Sequence, residues 1–249
     1  MKAIVLSVLV GCVLLASCIP CEEKPKHWSY SGEAGPENWV KLSSRYSDCG
    51  GKNQSPIDLT DFITAAPPDL KPITISYHAG GDEILNNGHT VEVSYVAGSS
   101  ILVDGTHQFN LDQFHFHAPG ENRINGTSYA MEAHFVHKDK YGNIAVIALM
   151  FAEGAENNAL AKIWTKLPED GKKIKLSPSF NVEELLPKNR DYYRYNGSLT
   201  TPPCTEGVLW LVLKQPVTAS KAQIDAFRQI MHHPNNRPLQ PINAREVLQ

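Results

Sequence analysis

The chain has 249 residues, 42% of them apolar and 20% charged, with a formal net charge of −3. That is enough chain for one large domain with a sizeable core, and neither repeats nor low-complexity tracts divide it. The balanced charge gives no footing for nucleic acid as a partner, and nothing in the composition sets an oligomeric state.

At the N-terminus Lys2 precedes an apolar run from Ala3 to Ala16. It is too short to cross a bilayer as a finished helix, so residues 1–17 read as a signal peptide. Its end, Leu15-Ala16-Ser17-Cys18, resembles a bacterial lipobox, in which Cys18 would be lipidated and attach the protein to a membrane. Ordinary cleavage nearby is the alternative, leaving Cys18 and Cys21 as thiols or a small disulfide. Residues 18–26 then form a tether, and the expected location is the periplasm or cell envelope. The folded domain is expected over residues 27–249.

That part opens with His27-Trp28-Ser29-Tyr30 and Trp39, aromatics that by themselves suggest core or lid packing. Cys49 and the turn-rich stretch Gly50 to Asp58 follow. Short strands are predicted at 73–77, 91–95 and 101–103, with a tight turn at Leu85-Asn86-Asn87-Gly88-His89 between the first two.

The next block, Gln113-Phe114-His115-Phe116-His117, alternates in phase, so Gln113, His115 and His117 share one face of a strand. After a turn containing Gly120, Asn125 and Gly126, Glu132 and His134 repeat the arrangement. Paired antiparallel, the two strands bring three imidazoles together, with a carboxylate and an amide behind them. Three neutral nitrogens suit Zn²⁺ and leave a fourth position for water. Gln113 and Glu132 would hold the outer ring N–H groups and fix the tautomers. One His-x-His would be read as ordinary hydrogen-bonded side chains; three in matching phase point to metal.

A buried-looking strand follows at 144–151. Ala159, Leu160, Ile163, Trp164 and Leu167 then recur at helical spacing behind Asn157 or Asn158 as N-cap. Thr200-Thr201-Pro202-Pro203 alone would be a stiff surface turn. A last helix starts at Ser220, where Gln223 completes a capping box and Ile224, Phe227 and Met231 share a face.

Four stretches, in this order, resemble the α-class carbonic anhydrases: His27 to Asp58, Gln113 to His134, Ser198 to Pro203, and Asn235-Asn236-Arg237-Pro238-Leu239-Gln240-Pro241. The likeness runs from about His27 to the C-terminus. It implies a mainly β (α+β) single domain on a large, mostly antiparallel central sheet with short peripheral helices. It also implies a catalytic zinc on His115, His117 and His134, and reversible hydration of carbon dioxide to bicarbonate and a proton by zinc-bound hydroxide. By the same likeness His89 is the proton shuttle, and Thr200 accepts a hydrogen bond from the hydroxide while donating to Glu121. Tyr30, Asn87, Glu92 and Thr201 fall at pocket positions. Val136, Val146, Leu199, Val208 and Trp210 match an apolar wall for CO₂. Cys49 and Cys204 match cysteines that related bacterial and extracellular enzymes pair.

The chain departs from the family pattern twice. Asn122 stands where a histidine is usual, which puts one hydrogen bond behind the ligands in question. Glu92 stands where asparagine or glutamine is usual, and within about 4–6 Å it would raise the pKa of His89. The alternative functions are a catalytically silent binding module of this family and a general zinc esterase.

Overall fold

The computed structural model of the chain describes residues 26–60, 64–65 and 70–249. The leader, Cys18 and all of the tether before residue 26 lie outside the described residues. Near the N-terminus come the helical turn α1 (Trp39–Leu42) and strands β1 (Asp58–Leu59), β2 (Thr64–Ala65) and β3 (Thr74–Ser76). Next are β4 (Gly81–Asn86), β5 (Val91–Tyr95), β6 (Ser100–Val103), β7 (His107–His117), β8 (Arg123–Ile124), β9 (Met131–Lys138) and β10 (Ile144–Glu153). Helix α2 (Asn158–Ile163) precedes β11 (Lys173–Phe180), β12 (Tyr192–Ser198), β13 (Glu206–Leu213) and β14 (Val217–Ala219). Helix α3 (Lys221–Met231) and β15 (Val247–Leu248) follow.

One sheet dominates this single domain, in the order β11-β4-β5-β7-β9-β10-β13-β12-β15-β2. Its pairings are antiparallel except β10–β13, β10–β14 and β15–β2. The two central hairpin strands, β9 and β10, are covered on both faces; β10 accordingly reads as a nearly unbroken apolar run, whereas β9 buries Glu132, His134 and His137 among its apolar residues. On one face Phe114, Phe116, Ala133, Phe135, Ile147, Leu149 and Leu211 form the larger core, closed by α2 and α3. On the other, Val136, Val146, Ala148, Val208, Trp210 and Val212 form a second, smaller cluster.

A bulge sets the phase of β7. Leu111 faces His137 and Gln113 faces Val136, so Asp112 is an extra residue in the ladder. Upstream of it Phe109 and Leu111 enter the larger core; downstream it is Phe114 and Phe116. The apolar alternation in the sequence skips one position at Asp112. That skip turns Gln113, His115 and His117 toward the second face.

Asn157 caps α2, accepting from the N–H groups of Ala159 and Leu160. The helix ends at Ile163, earlier than a stripe reaching Leu167 suggests. Pro168 has no N–H to carry it on and disfavours helical backbone at Leu167. Trp164 instead packs on Phe116 and Phe227. The capping box at α3 is complete in both directions, Ser220 with Gln223.

Candidate metal centre

Sheet register assembles the site. His115 lies opposite His134 and His117 opposite Glu132, with Glu92 across from His115 on the other side. One row therefore runs Glu92, His115, His134, Ala148, Val212. The next runs Ser94, Gln113, Val136, Val146, Trp210, Tyr195. The histidines thus sit beside an apolar strip on one surface.

Ligating atoms of His115, His117 and His134 all lie within 4.8 Å of one another. Each ring's other nitrogen faces an acceptor. His115 Nδ1 donates to Gln113 Oε1 at 2.8 Å, and His117 Nδ1 to the Asn235 carbonyl at 2.7 Å. His134 Nε2 donates to Glu132 Oε1 at 2.8 Å. The tautomers are thereby fixed, leaving His115 Nε2, His117 Nε2 and His134 Nδ1 as bare lone pairs turned inward. His117 Nε2 is buried without a hydrogen-bonding partner, as is Glu121 Oε2, which lies 3.6 Å from it. Burial, reinforced by the neighbouring imidazoles, holds His115 and His134 well below the usual histidine pKa, and burial lowers His117 too. Neutral rings are what a metal ligand must be. Three imidazole nitrogens with oriented outer N–H groups and no competing partner fit Zn²⁺.

Behind the ligands Glu132 is saturated. Its Oε2 accepts from the backbone N–H groups of Glu121 and Asn122, and its Oε1 from the Asn122 side chain at 2.7 Å. Asparagine at 122 therefore reaches the carboxylate, and its Oδ1 accepts from Ile57 N and from the Tyr195 hydroxyl. Burial pushes the Glu121 carboxyl well up; the Arg237 N–H, donating to Oε1 at 2.7 Å, and the Thr200 hydroxyl oppose that rise. The Thr200 loop is tied down by the Cys49–Cys204 disulfide and by Gln54, whose Nε2 donates to the Cys204 carbonyl.

A family model for eukaryotic-type carbonic anhydrase matches residues 34–249. The chain belongs to the α-carbonic anhydrase family. A carbonic anhydrase of Pectobacterium atrosepticum is 44% identical over 239 residues, covering 95% of this chain and 96% of that protein. The α-carbonic anhydrase of Thermovibrio ammonificans, solved with sulfanilamide, is 50% identical with a TM-score of 0.87, over 90% of this chain and 99% of that one. Dioscorin, solved with ascorbate, is 31% identical with a TM-score of 0.82, over 90% and 97%. The chain is thus a zinc enzyme of the carbonic anhydrase class, whose general reaction is CO₂ hydration.

The other positions that the resemblance assigns to a pocket divide by environment. Val136, Val146, Val208 and Trp210 lie in the second apolar cluster, with Leu199 packed against it. Thr201 is half-buried next to Thr200. Tyr30 OH is buried and unpartnered, and burial together with Glu121 raises its pKa well above the usual value. Asn87 is exposed and braces the turn, accepting from the N–H groups of His89 and Thr90. His89 is half-buried and stacks on Trp28, ring centroids 3.7 Å apart.

Glu92 does not act on His89 as expected. The His89 pKa moves down, first through burial and then through His27 and His233, against an opposing pull from Asp170. Glu92 faces Asp112 and Lys138 instead, at the outer side of His115.

Two residues were not singled out by the sequence. Asn235, fully buried, receives the His117 N–H on its carbonyl, accepts Ala118 N–H on Oδ1 and donates to the carbonyls of Phe116 and His89. Arg237 donates to Gln54 Oε1 and to the carbonyls of Ser55 and Cys49, and lies over the Trp39 ring. Their only signal was the Asn-Asn-Arg-Pro stretch, which carried resemblance but no chemistry of its own.

Proposed function

We propose that this site hydrates CO₂ reversibly, with the apolar strip holding substrate and His89 exporting the proton. Zinc held by His115 Nε2, His117 Nε2 and His134 Nδ1 would supply the Lewis acidity that makes water acidic near neutral pH, behaviour for which carbonic anhydrases are the standard example. Glu121 accepts the hydrogen bond of the Thr200 hydroxyl, so Thr200 Oγ1 offers its own lone pair to orient the attacking oxygen toward the substrate. That role needs an ionised Glu121, which the Arg237 N–H favours against burial. Val136, Val146, Leu199, Val208 and Trp210 offer CO₂ dispersion contact without a hydrogen bond, so that substrate is held loosely. His89 has an imidazole at the mouth, suited to exchanging protons with buffer.

The observation that carries this reading is the set of three fixed tautomers with their bare nitrogens converging beside Glu121. Its test is stopped-flow CO₂ hydration with a zinc determination on the same sample. Turnover in proportion to zinc is expected; zinc-loaded protein without turnover refutes it. The likeness to dioscorin, solved with ascorbate, favours a binding role as the second reading, and the same assay separates the two. Ester hydrolysis outpacing CO₂ hydration would indicate the esterase.

We further propose that residues 27–249 are the catalytic domain of an exported protein anchored through Cys18. The disulfide supports an oxidising compartment. Among the described residues no helix is long and apolar enough to cross a membrane. Intact mass of membrane-extracted protein tests the anchor, since acyl chains add a defined mass.

A further inference from the structure

His89 does not stand alone at the mouth. Its ring is held by stacking on Trp28 and, more loosely, on His27, at a centroid distance of 5.4 Å. Tyr30 lies edge-on at 6.4 Å, and the same Tyr30 ring meets His233 at 6.0 Å. The segment bearing His233 is pinned to the turn bearing His89, because Asn235 Nδ2 donates to the His89 carbonyl at 3.1 Å. His233 itself is exposed. Its Nδ1 donates to the Pro234 carbonyl at 3.0 Å, so Nε2 is the nitrogen left free to accept a proton.

We propose that His233 is a relay residue, which takes protons from His89 through Nε2 and passes them to solvent. The inference rests on the proposed hydration reaction and on the export role of His89 within it. No bond but N–H is made or broken. The proton leaves the His89 imidazolium, resides on His233 as imidazolium, and goes to water or buffer; dehydration runs the same path inward. Two features make the relay favourable. Donor and acceptor are both imidazoles, each able to carry the proton on one ring nitrogen. Burial first, and then a positive charge on either flanking ring, make His89 hold its proton less tightly. The groups facing His89 are His27, Trp28, Tyr30, His233 and Asp170, and of these only Asp170 pulls the other way. His233 is faced by Tyr30 and His89.

The test uses zinc-loaded His233→Ala in a dilute buffer too bulky to enter the mouth. There kcat should fall by roughly threefold or more, a fraction of the ~10²–10⁴ supplied by a full acid–base group. The value of kcat/KM for CO₂ should hold, since proton export follows the steps it reports, and added imidazole should restore kcat. Independently of turnover, the His89 ring titration followed by NMR should rise, the effect of removing one positive charge that acts on it across solvent. His232→Asn, at the exposed left-handed cap of α3, should change neither quantity. Unaltered kcat in His233→Ala, an unmoved His89 titration, or an equal loss in His232→Asn overturns the relay. Zinc-loaded wild type without CO₂ turnover defeats the hydration reading instead, and the NMR titration then still decides whether the two rings are coupled.

Discussion

Replacing Asn235 by alanine should strike the zinc site and the turn bearing His89 together, although Asn235 is no ligand. The substitution removes three side-chain hydrogen bonds. Phe116 O keeps a second partner in the Thr90 hydroxyl, so its loss is mild. Ala118 N–H is left buried with nothing to donate to, a cost of about 1–3 kcal/mol, and each of the other lost bonds adds about 0.5–1.5 kcal/mol. The sum is about 3 kcal/mol. At roughly 2–4 °C per kcal/mol for a domain of this size, Tm should drop by about 6–12 °C. Zinc affinity should weaken at the low end of the 10–100-fold range for partners of metal-bound imidazoles, about 10-fold. It is the low end because the His117 N–H goes to the Asn235 backbone carbonyl, which survives the change. Calorimetry gives Tm, and competition with a chromogenic chelator gives affinity. A Tm within about 2 °C and an affinity within twofold of wild type would show that the clamp is idle.

His134→Ala should abolish zinc retention and turnover while far-ultraviolet circular dichroism stays native, because the ring faces the cavity and not the larger core. Opening the Cys49–Cys204 bridge, which spans 155 residues, should cost up to about 5 kcal/mol in the chain-entropy model, read as a lower denaturant midpoint in Cys49→Ser/Cys204→Ser. Burial pulls the His137 pKa down to about 4. The unfolded chain therefore binds this proton first, near pH 6.5, and the folded chain only near 4. Stability from this group is intact above about pH 6.5 and falls as pH drops through that window, by about 3 kcal/mol in all. Denaturation between pH 4 and 7 should show that slope, and His137→Gln should flatten it.

Much of this was legible because local chemistry and global fold agree. The phase of Gln113, His115 and His117 against Glu132 and His134 foretold convergence, since a strand offers one face every second residue. Ser220 and Gln223 foretold a cap because that contact lies within one turn. The bulge at Asp112 was written in the skipped alternation between Leu111 and Phe114, a signal that only pairing with β9 makes meaningful. Arg237 and Asn235 were opaque for a different reason. Their partners lie more than a hundred residues away and are mostly backbone carbonyls, which every residue carries. Glu92 was opaque because it stands only three residues from His89 along the chain, whereas the strand turns its carboxylate toward Asp112 and Lys138.

Covering β9 and β10 on both faces has a kinetic consequence. Local fluctuations open proteins from their edges and loops, and strands with a core above and below exchange their amides only when the whole domain opens. His134 stands on such a strand, and His117 beside it is nearly inaccessible. The amides of Ala133 to Phe135 should then exchange at a rate paced by global unfolding, which steepens with temperature. The rim of His27, His89 and His233 lies outside those strands, on turns and loops whose local opening is a separate event.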